Sequence, residues 1–195
     1  MIDQFAKEYL HSDLRDVRKT MLWKLEGVGE YDARRPLTST GTNLLGLIKH
    51  LTITEAWYFG EVFGRPFPGN GAGGTIQGHL DVMWVAGDET RAEIVDRYRR
   101  AWDHSDATIA ALDIDAPGHV PWWPRPDVML FNILVHVLTE TNRHAGHADI
   151  LREQLDGAVG TDAESTALHG REAAFWENHR AKVERAAKAA DPAPA

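Results

Sequence analysis

Apolar residues recur at helical spacing in several long segments of the chain, with polar residues between them. The first stripe is formed by Leu14, Val17, Met21 and Leu25. It predicts a helix over Ser12 to Gly27, since glycine is typical of the position just after a helix. No stretch alternates apolar and polar residues for long enough to build a sheet. The pattern therefore predicts an all-α protein.

A second helix is predicted to begin near Thr42 or Asn43, either of which can cap it, and to run to Phe63. The polar loop GEYDARRPLTSTG separates it from the first helix. A long glycine-rich connection follows from Gly64 to Gly87, including the stretch GNGAGG, which we interpret as flexible loop. A connection of this length predicts a crossover within a helix bundle.

The best-marked helix start in the sequence is Thr90, which precedes Glu93 by three residues and predicts a capping box. The helix continues through Leu112 and is followed by a stiff loop, rich in proline and tryptophan, between Asp115 and Pro126.

Asp127 is expected to cap a fourth helix that ends at Gly157, and a fifth helix covers about Gly170 to Ala189. These segments predict a four-helix up-down bundle with a long crossover connection and an extra C-terminal helix. Residues 1–190 are expected to form a single domain, followed by a disordered tail over residues 191–195.

The fourth predicted helix carries Glu140, His144 and His147 at offsets of zero, four and seven, on a stripe that is apolar at both ends. A buried carboxylate or imidazole without a partner is costly, and a divalent metal would satisfy both groups. His50 lies on the inner face of the second predicted helix and supplies a third ligand. Three protein ligands leave an open coordination position, as in catalytic metal sites.

His147 is either a fourth ligand or a group that orients a ligand or takes a proton. A Glu and His four residues apart are more often a solvated pair, and a lone histidine such as His50 is more often a hydrogen-bonded core residue. The joint occurrence of these residues on two inner faces favours the metal site. The motifs of other metal, nucleotide and hydrolase sites, including HExxH, a P-loop lysine and G-x-S-x-G, are missing.

Composition excludes several classes of function. The chain has 29 acidic and 21 basic residues and a formal charge of -8, which argues against nucleic-acid binding. No apolar run reaches the ~20 residues that a membrane span needs, and the N-terminus lacks the apolar core of a signal peptide, so a cytoplasmic location is expected. The chain has no cysteine, so any thiol in its chemistry must be exogenous.

Two segments carry a resemblance to a known family: RPLTSTGTNLLGLIKHLTITEAWYFGEVFGRP (35–66) and HVLTETNRHAGHADILREQLDG (136–157). They resemble the DinB/YfiT superfamily of metal-binding four-helix proteins, in the actinobacterial branch that includes mycothiol S-transferases. Many relatives bind metal through three histidines. Glu140 departs from that pattern and is similar to the His, Glu, His ligands of mycothiol-dependent maleylpyruvate isomerase. The resemblance thus implies His50, Glu140 and His144 as ligands.

The resemblance implies that a bound metal activates mycothiol or another small thiol for attack on a small electrophile, as a transferase or isomerase in detoxification. Asn142 and Arg143 are candidate contacts for a polar thiol, and Trp57 and Tyr58 are candidate walls of the substrate pocket. Zinc is the favoured metal, with nickel, iron or manganese also compatible with these ligands. A metal-dependent hydrolase and a non-catalytic stress protein that binds metal or a small ligand remain alternatives, and a homodimer is one possible assembly.

Overall fold

The structure is a computed structural model that describes residues 4–68, 80–168 and 170–190. Within these residues the fold is mostly helical, which confirms the all-α prediction. The α-helices are α1 (Gln4–Trp23), α2 (Glu30–Arg34), α3 (Leu44–Tyr58), α4 (Arg91–Ala111), α5 (Leu130–Asp156), α6 (Ala163–Leu168) and α7 (Ala173–Ala190). Short 3-10 helices cover Glu61–Phe63 and Leu80–Met83. In this part of the chain, no helix has the length and hydropathy required to span a bilayer.

The bundle is formed by α1, α3, α4 and α5, with α5 packed against α1 and α3, and α3 against α4. Lys49 pairs with Glu89, just before α4, and Arg65, just beyond α3, donates to Thr108 near the end of α4. The two helices therefore run in the same direction, so the chain must return along the bundle between them. This geometry requires the predicted crossover. The predicted flexible stretch GNGAGG lies outside the described residues, as does the predicted disordered tail.

The first helix begins at Gln4, eight residues before the predicted start at Ser12. Lys7 explains the difference, because its side chain is buried and its Nζ donates to the Leu112 carbonyl at the end of α4, at 2.7 Å. The first turns of α1, where Phe5 and Tyr9 are exposed, are thus held by a distant contact that the apolar periodicity does not reveal. The polar loop after α1 also contains a short helix, α2.

The predicted cap at Asp127 is wrong. Asp127 lies in a short strand, β2 (Asp127–Met129), which pairs antiparallel with β1 (Pro117–His119). Met129 is the actual N-cap of α5, and its backbone N–H donates to the Asn132 side chain at 2.9 Å. The expectation of no strand pairing therefore fails at this hairpin, where the strands are three residues long.

Other helix ends follow the sequence signals. Asn43 caps α3 by accepting from the Gly46 N–H at 2.8 Å, and Thr90 forms the predicted capping box at the start of α4. Gly157, with φ 77°, follows the last turn of α5 as expected. The second predicted helix corresponds to α3, which ends at Tyr58 rather than Phe63, because the chain continues in a 3-10 helix over Glu61–Phe63. The short helix α6 was not predicted, and α7 begins and ends close to the predicted fifth helix but has no buried residue.

An ion pair that the hydrophobic pattern does not predict lies buried inside the bundle. The guanidinium of Arg18 on α1 donates to both carboxylate oxygens of Glu55 on α3, and both side chains are about fully buried. Arg18 also donates to Asp106 on α4 at 2.7 Å, so three helices share one network. Burial lowers the pKa of Arg18, but the two carboxylates raise it by more, so Arg18 stays charged. The signal in the sequence was a glutamate inside the apolar run of α3.

Gly46 marks a close approach that positions the segment before α4. A Cβ at Gly46 would lie 2.0 Å from the Met83 carbonyl oxygen, so the 3-10 helix packs directly on the α3 backbone, one turn before His50. We expect Gly46→Ala to destabilise the protein by about 1–3 kcal/mol, because backbone atoms must move apart.

The matched control is Gly146→Ala in the middle of α5, where an added Cβ meets nothing within 4 Å. This substitution should stabilise the protein by about 1 kcal/mol through helix propensity. Urea unfolding of both variants measures the difference. Equal stability of the two variants would contradict the close approach at Met83.

Candidate metal centre

Three side chains from α3 and α5 converge in the middle of the bundle. Nε2 of His50 lies 3.4 Å from Oε1 of Glu140, and Nε2 of His144 lies 3.1 Å from the same oxygen. The two imidazole rings meet edge to face, with centroids 4.7 Å apart. Each residue offers one ligand atom, and these atoms all lie within 4.8 Å of one another. We call these three residues the triad.

The two helices bring the triad together for simple geometric reasons. Glu140 and His144 are four residues apart on α5 and so project from one face. His50 lies opposite them because α3 and α5 are antiparallel, as the contact of Tyr58 with His136 near the other end of the interface also shows. All three side chains are partly or largely shielded from solvent, with exposed fractions of 16% for His50, 23% for Glu140 and 9% for His144.

The triad fits a divalent cation. Imidazole nitrogen and carboxylate oxygen bind zinc at about 2.0–2.2 Å, which places tetrahedral ligand atoms about 3.3 Å apart. The distances from Glu140 to the two histidines are close to this value. Hydrogen bonds from His144 and His50 also hold the pKa of Glu140 well below its usual range, although burial acts in the opposite direction. Glu140 is therefore an anion at neutral pH, as a metal ligand must be.

His147 lies next to His144, and its Nδ1 is 3.3 Å from Nδ1 of His144. Without a metal, Nε2 of His144 carries the proton that it shares with Glu140. A metal bound at Nε2 would need the lone pair of that nitrogen, so the ring proton would move to Nδ1, where Nδ1 of His147 could accept it and orient the ligand. The expectation that His147 faces the bundle interior is not met, since its side chain is exposed at the rim.

The two polar residues predicted to contact substrate lie in different places. Arg143 is on the triad side of α5, with its guanidinium 4.0 Å from Oε2 of Glu140 and 65% of its side chain exposed. Asn142 is not brought to the triad. Its side chain donates to the Leu138 carbonyl, and it lines an open groove between α1 and α5.

Aromatic rings gather beside the triad, toward the end of α3. They come from α3, from the turn of the hairpin and from α5. We call them the aromatic wall, which comprises Trp57, Tyr58, Trp122, Trp123 and His136. The closest pair is Trp57 with Trp122, whose ring centroids are 4.1 Å apart. The sequence pointed to Trp57 and Tyr58, and the structure adds His136, which contacts both Tyr58 and Trp123.

Burial controls the ionisation of the wall. It lowers the pKa of His136, against the attraction of Glu140, so this imidazole is neutral at neutral pH. Burial also raises the pKa of Tyr58, although the indoles of Trp123 and Trp122 act in the opposite direction, so its hydroxyl keeps its proton. The wall is therefore an uncharged surface next to an anionic ligand.

Comparison with known proteins gave one family. The family model described as mycothiol-S-transferase matches residues 9–157, which include the triad, the aromatic wall and His147. No curated protein matches the chain. The matched region ends at Gly157, so α6 and α7 lie beyond it.

Proposed function

Because the chain belongs to the mycothiol-S-transferase family, we propose that it transfers mycothiol, or a similar small thiol, to an electrophilic small molecule with the help of a divalent metal held by the triad. The observation that carries this proposal is the convergence of His50, Glu140 and His144 in a chain that has no cysteine. The protein offers ligand atoms but no thiol of its own, so the nucleophilic sulfur belongs to a substrate.

A bound divalent metal would favour the thiolate form of the substrate at neutral pH, as metals do for bound water and coordinating thiols. The protein residues set the charge around that metal. As metal ligands, Glu140 would contribute one negative charge and the imidazoles none, so a divalent ion held by the triad would keep a net positive charge, which would suit a thiolate. We propose zinc as the metal, although nickel, iron and manganese are also compatible with these ligands.

His147 is proposed to act mainly as a positioning residue. With a metal on Nε2 of His144, Nδ1 of His147 would accept from His144, and the proton of His147 would lie on Nε2, where it can donate to an acceptor on the substrate. In this tautomer Nε2 of His147 has no lone pair with which to remove the thiol proton, so that proton would pass to solvent. Arg143 lies at the open edge of the triad, where its exposed guanidinium can contact a polar thiol.

Cobalt-substituted protein tests the proposal. We expect mycothiol to change the visible and near-ultraviolet spectrum of the cobalt protein and to yield an S-conjugate when an alkylating electrophile is added, detected by mass spectrometry. S-methylated mycothiol is the matched control, because it keeps the polar groups but cannot form a thiolate.

The outcomes separate the alternatives. A spectral change without conjugate formation would overturn transferase activity in favour of a protein that binds metal and thiol without catalysis. Cleavage of a model ester in the absence of thiol would favour a metal-dependent hydrolase, in which water is the nucleophile. An identical response to mycothiol and its S-methyl form would contradict sulfur coordination.

A further inference from the structure

The aromatic wall begins one helical turn from the triad. His136 precedes Glu140 by four residues on α5, which corresponds to about 6 Å along the helix axis. Tyr58 and Trp123 lie against His136, with ring centroids at 4.5 and 4.8 Å. A small molecule resting on this wall would thus place one end beside the triad.

The tryptophans of the hairpin turn are held in place by backbone contacts. The Val120 N–H donates to the Pro126 carbonyl at 2.8 Å, and the Trp123 N–H donates to the Val120 carbonyl at 3.1 Å. Gly118 lets the hairpin approach the 3-10 helix Glu61–Phe63 closely, since a Cβ there would lie 2.7 Å from the Val62 side chain. Backbone hydrogen bonds therefore hold the turn that carries Trp122 and Trp123, and the rings of these residues pack against Trp57 and Tyr58.

The rings of the wall keep part of their surface in solvent. Trp57, Trp122, Trp123 and His136 are all only partly buried, although they lie beside a well-packed core. Partly exposed indole rings that are already fixed offer flat apolar area at little cost in side-chain entropy.

The two sides of the triad differ in polarity. On the side of Arg143 and His147, the side chains are polar and exposed. The aromatic wall lies on the other side, and its two ionisable residues, Tyr58 and His136, are uncharged at neutral pH. A polar thiol is suited to the first side, which leaves the wall for the second substrate.

We propose that the aromatic wall binds the electrophile and selects flat aromatic electrophiles over small aliphatic ones. This inference rests on the proposed thiol transfer. Aromatic rings stack or meet edge to face with indoles, and this contact adds to the burial of their area. A small aliphatic electrophile makes neither contact with the wall.

The reaction with an activated aryl halide is balanced without any further reactant. The thiolate sulfur forms a bond to the ring carbon that carries the halogen, and the halide leaves with the bonding electron pair. The proton of the original thiol is released to water. No oxidant or reductant is needed.

The test compares two electrophiles that react by displacement of halide, 1-chloro-2,4-dinitrobenzene and iodoacetamide, with mycothiol as the thiol. We expect Trp57→Ala and Trp122→Ala to lower kcat/KM for the aromatic electrophile by about tenfold through lost stacking and burial. The same variants should change kcat/KM for iodoacetamide by less than about twofold.

Two controls accompany these variants. Trp57→Phe should retain most of the aromatic preference, because an aromatic ring remains. Trp176→Ala removes an exposed tryptophan on α7, outside the wall, and should change neither rate. Circular dichroism shows whether each variant keeps its helical content.

A second measurement does not depend on turnover. We expect 1,3-dinitrobenzene, which has no leaving group, to quench the tryptophan fluorescence of the metal-free protein saturably, with a dissociation constant raised about tenfold in Trp122→Ala. The Trp176→Ala variant should keep the wild-type constant.

The outcomes separate this inference from the function on which it rests. If both electrophiles are conjugated and the wall variants slow them equally or not at all, the inference is overturned and thiol transfer stands. If neither electrophile is conjugated, the proposed function is overturned, and the fluorescence titration decides the inference by itself. Quenching that is unchanged in Trp122→Ala would overturn the inference.

Discussion

Replacing His144 with alanine is expected to remove most of the metal-binding capacity of the protein. His144 is the most buried member of the triad, and its Nε2 lies 3.1 Å from Glu140. Two ligands, His50 and Glu140, would remain, and the loss should weaken metal affinity by more than about 100-fold, beyond the effect typical of residues that only support a ligand. Metal content is measured by elemental analysis of protein purified without chelators.

His147→Ala should behave differently, because His147 contacts the ligand His144 and not the proposed ion. We expect this variant to keep near-full metal occupancy after purification but to transfer thiol about 10–100-fold more slowly. His179→Ala, which removes an exposed histidine on α7, is the matched control and should change neither property. If both His144→Ala and His147→Ala retain metal and activity, the assignment of the site is wrong.

Replacing Glu55 with alanine is expected to destabilise the fold by about 3–5 kcal/mol, because the Arg18 guanidinium would be left buried without its main partner. Glu55 has an exposed fraction of 0% and Arg18 of 1%, so water cannot replace the lost carboxylate. Asp106 would still accept one hydrogen bond from Arg18, and this remaining contact explains the lower end of the expected loss of stability. Urea unfolding at neutral pH measures the change in free energy.

Removing the charges of both Arg18 and Glu55 tests whether the unpaired buried charge causes the loss of stability. We expect the double variant Arg18→Met, Glu55→Leu to recover most of the lost stability, since an apolar pair of similar volume avoids the buried charge. As a matched control, Asp96→Ala breaks an exposed ion pair with Arg100 and should change stability by less than about 0.5 kcal/mol. A Glu55→Ala variant as stable as Asp96→Ala would contradict the importance of burial.

The helices were predictable because their signals are local. Apolar residues at a period of 3.6 mark the face of each helix that enters the core, and side-chain caps satisfy the first backbone N–H groups. The start of α4 at Thr90 and the end of α5 at Gly157 follow from such signals alone. The spacing of Glu140 and His144 likewise required only the geometry of one helix.

The errors arose where the structure depends on distant contacts. The start of α1 is held by the hydrogen bond from Lys7 to the Leu112 carbonyl, just after the end of α4. The hairpin at Asp127 forms because two short segments pair with each other. Neither segment has a periodic pattern of its own. The side of α5 on which Asn142 lies also depends on where α1 and α3 pack, and its contact with a polar thiol stays a prediction.

Hydrophobic periodicity and helix-capping signals are enough to predict that the protein is helical and where its main helices run. They also mark His50, Glu140 and His144 as polar residues on apolar faces. That these side chains meet follows from the packing of the chain, because their distance depends on the antiparallel arrangement of α3 and α5. The same packing joins Arg18 and Glu55 in a buried pair and brings rings from three segments into one wall. Periodicity records which face of a helix avoids water, whereas the partner of that face is chosen by the packing of the whole chain.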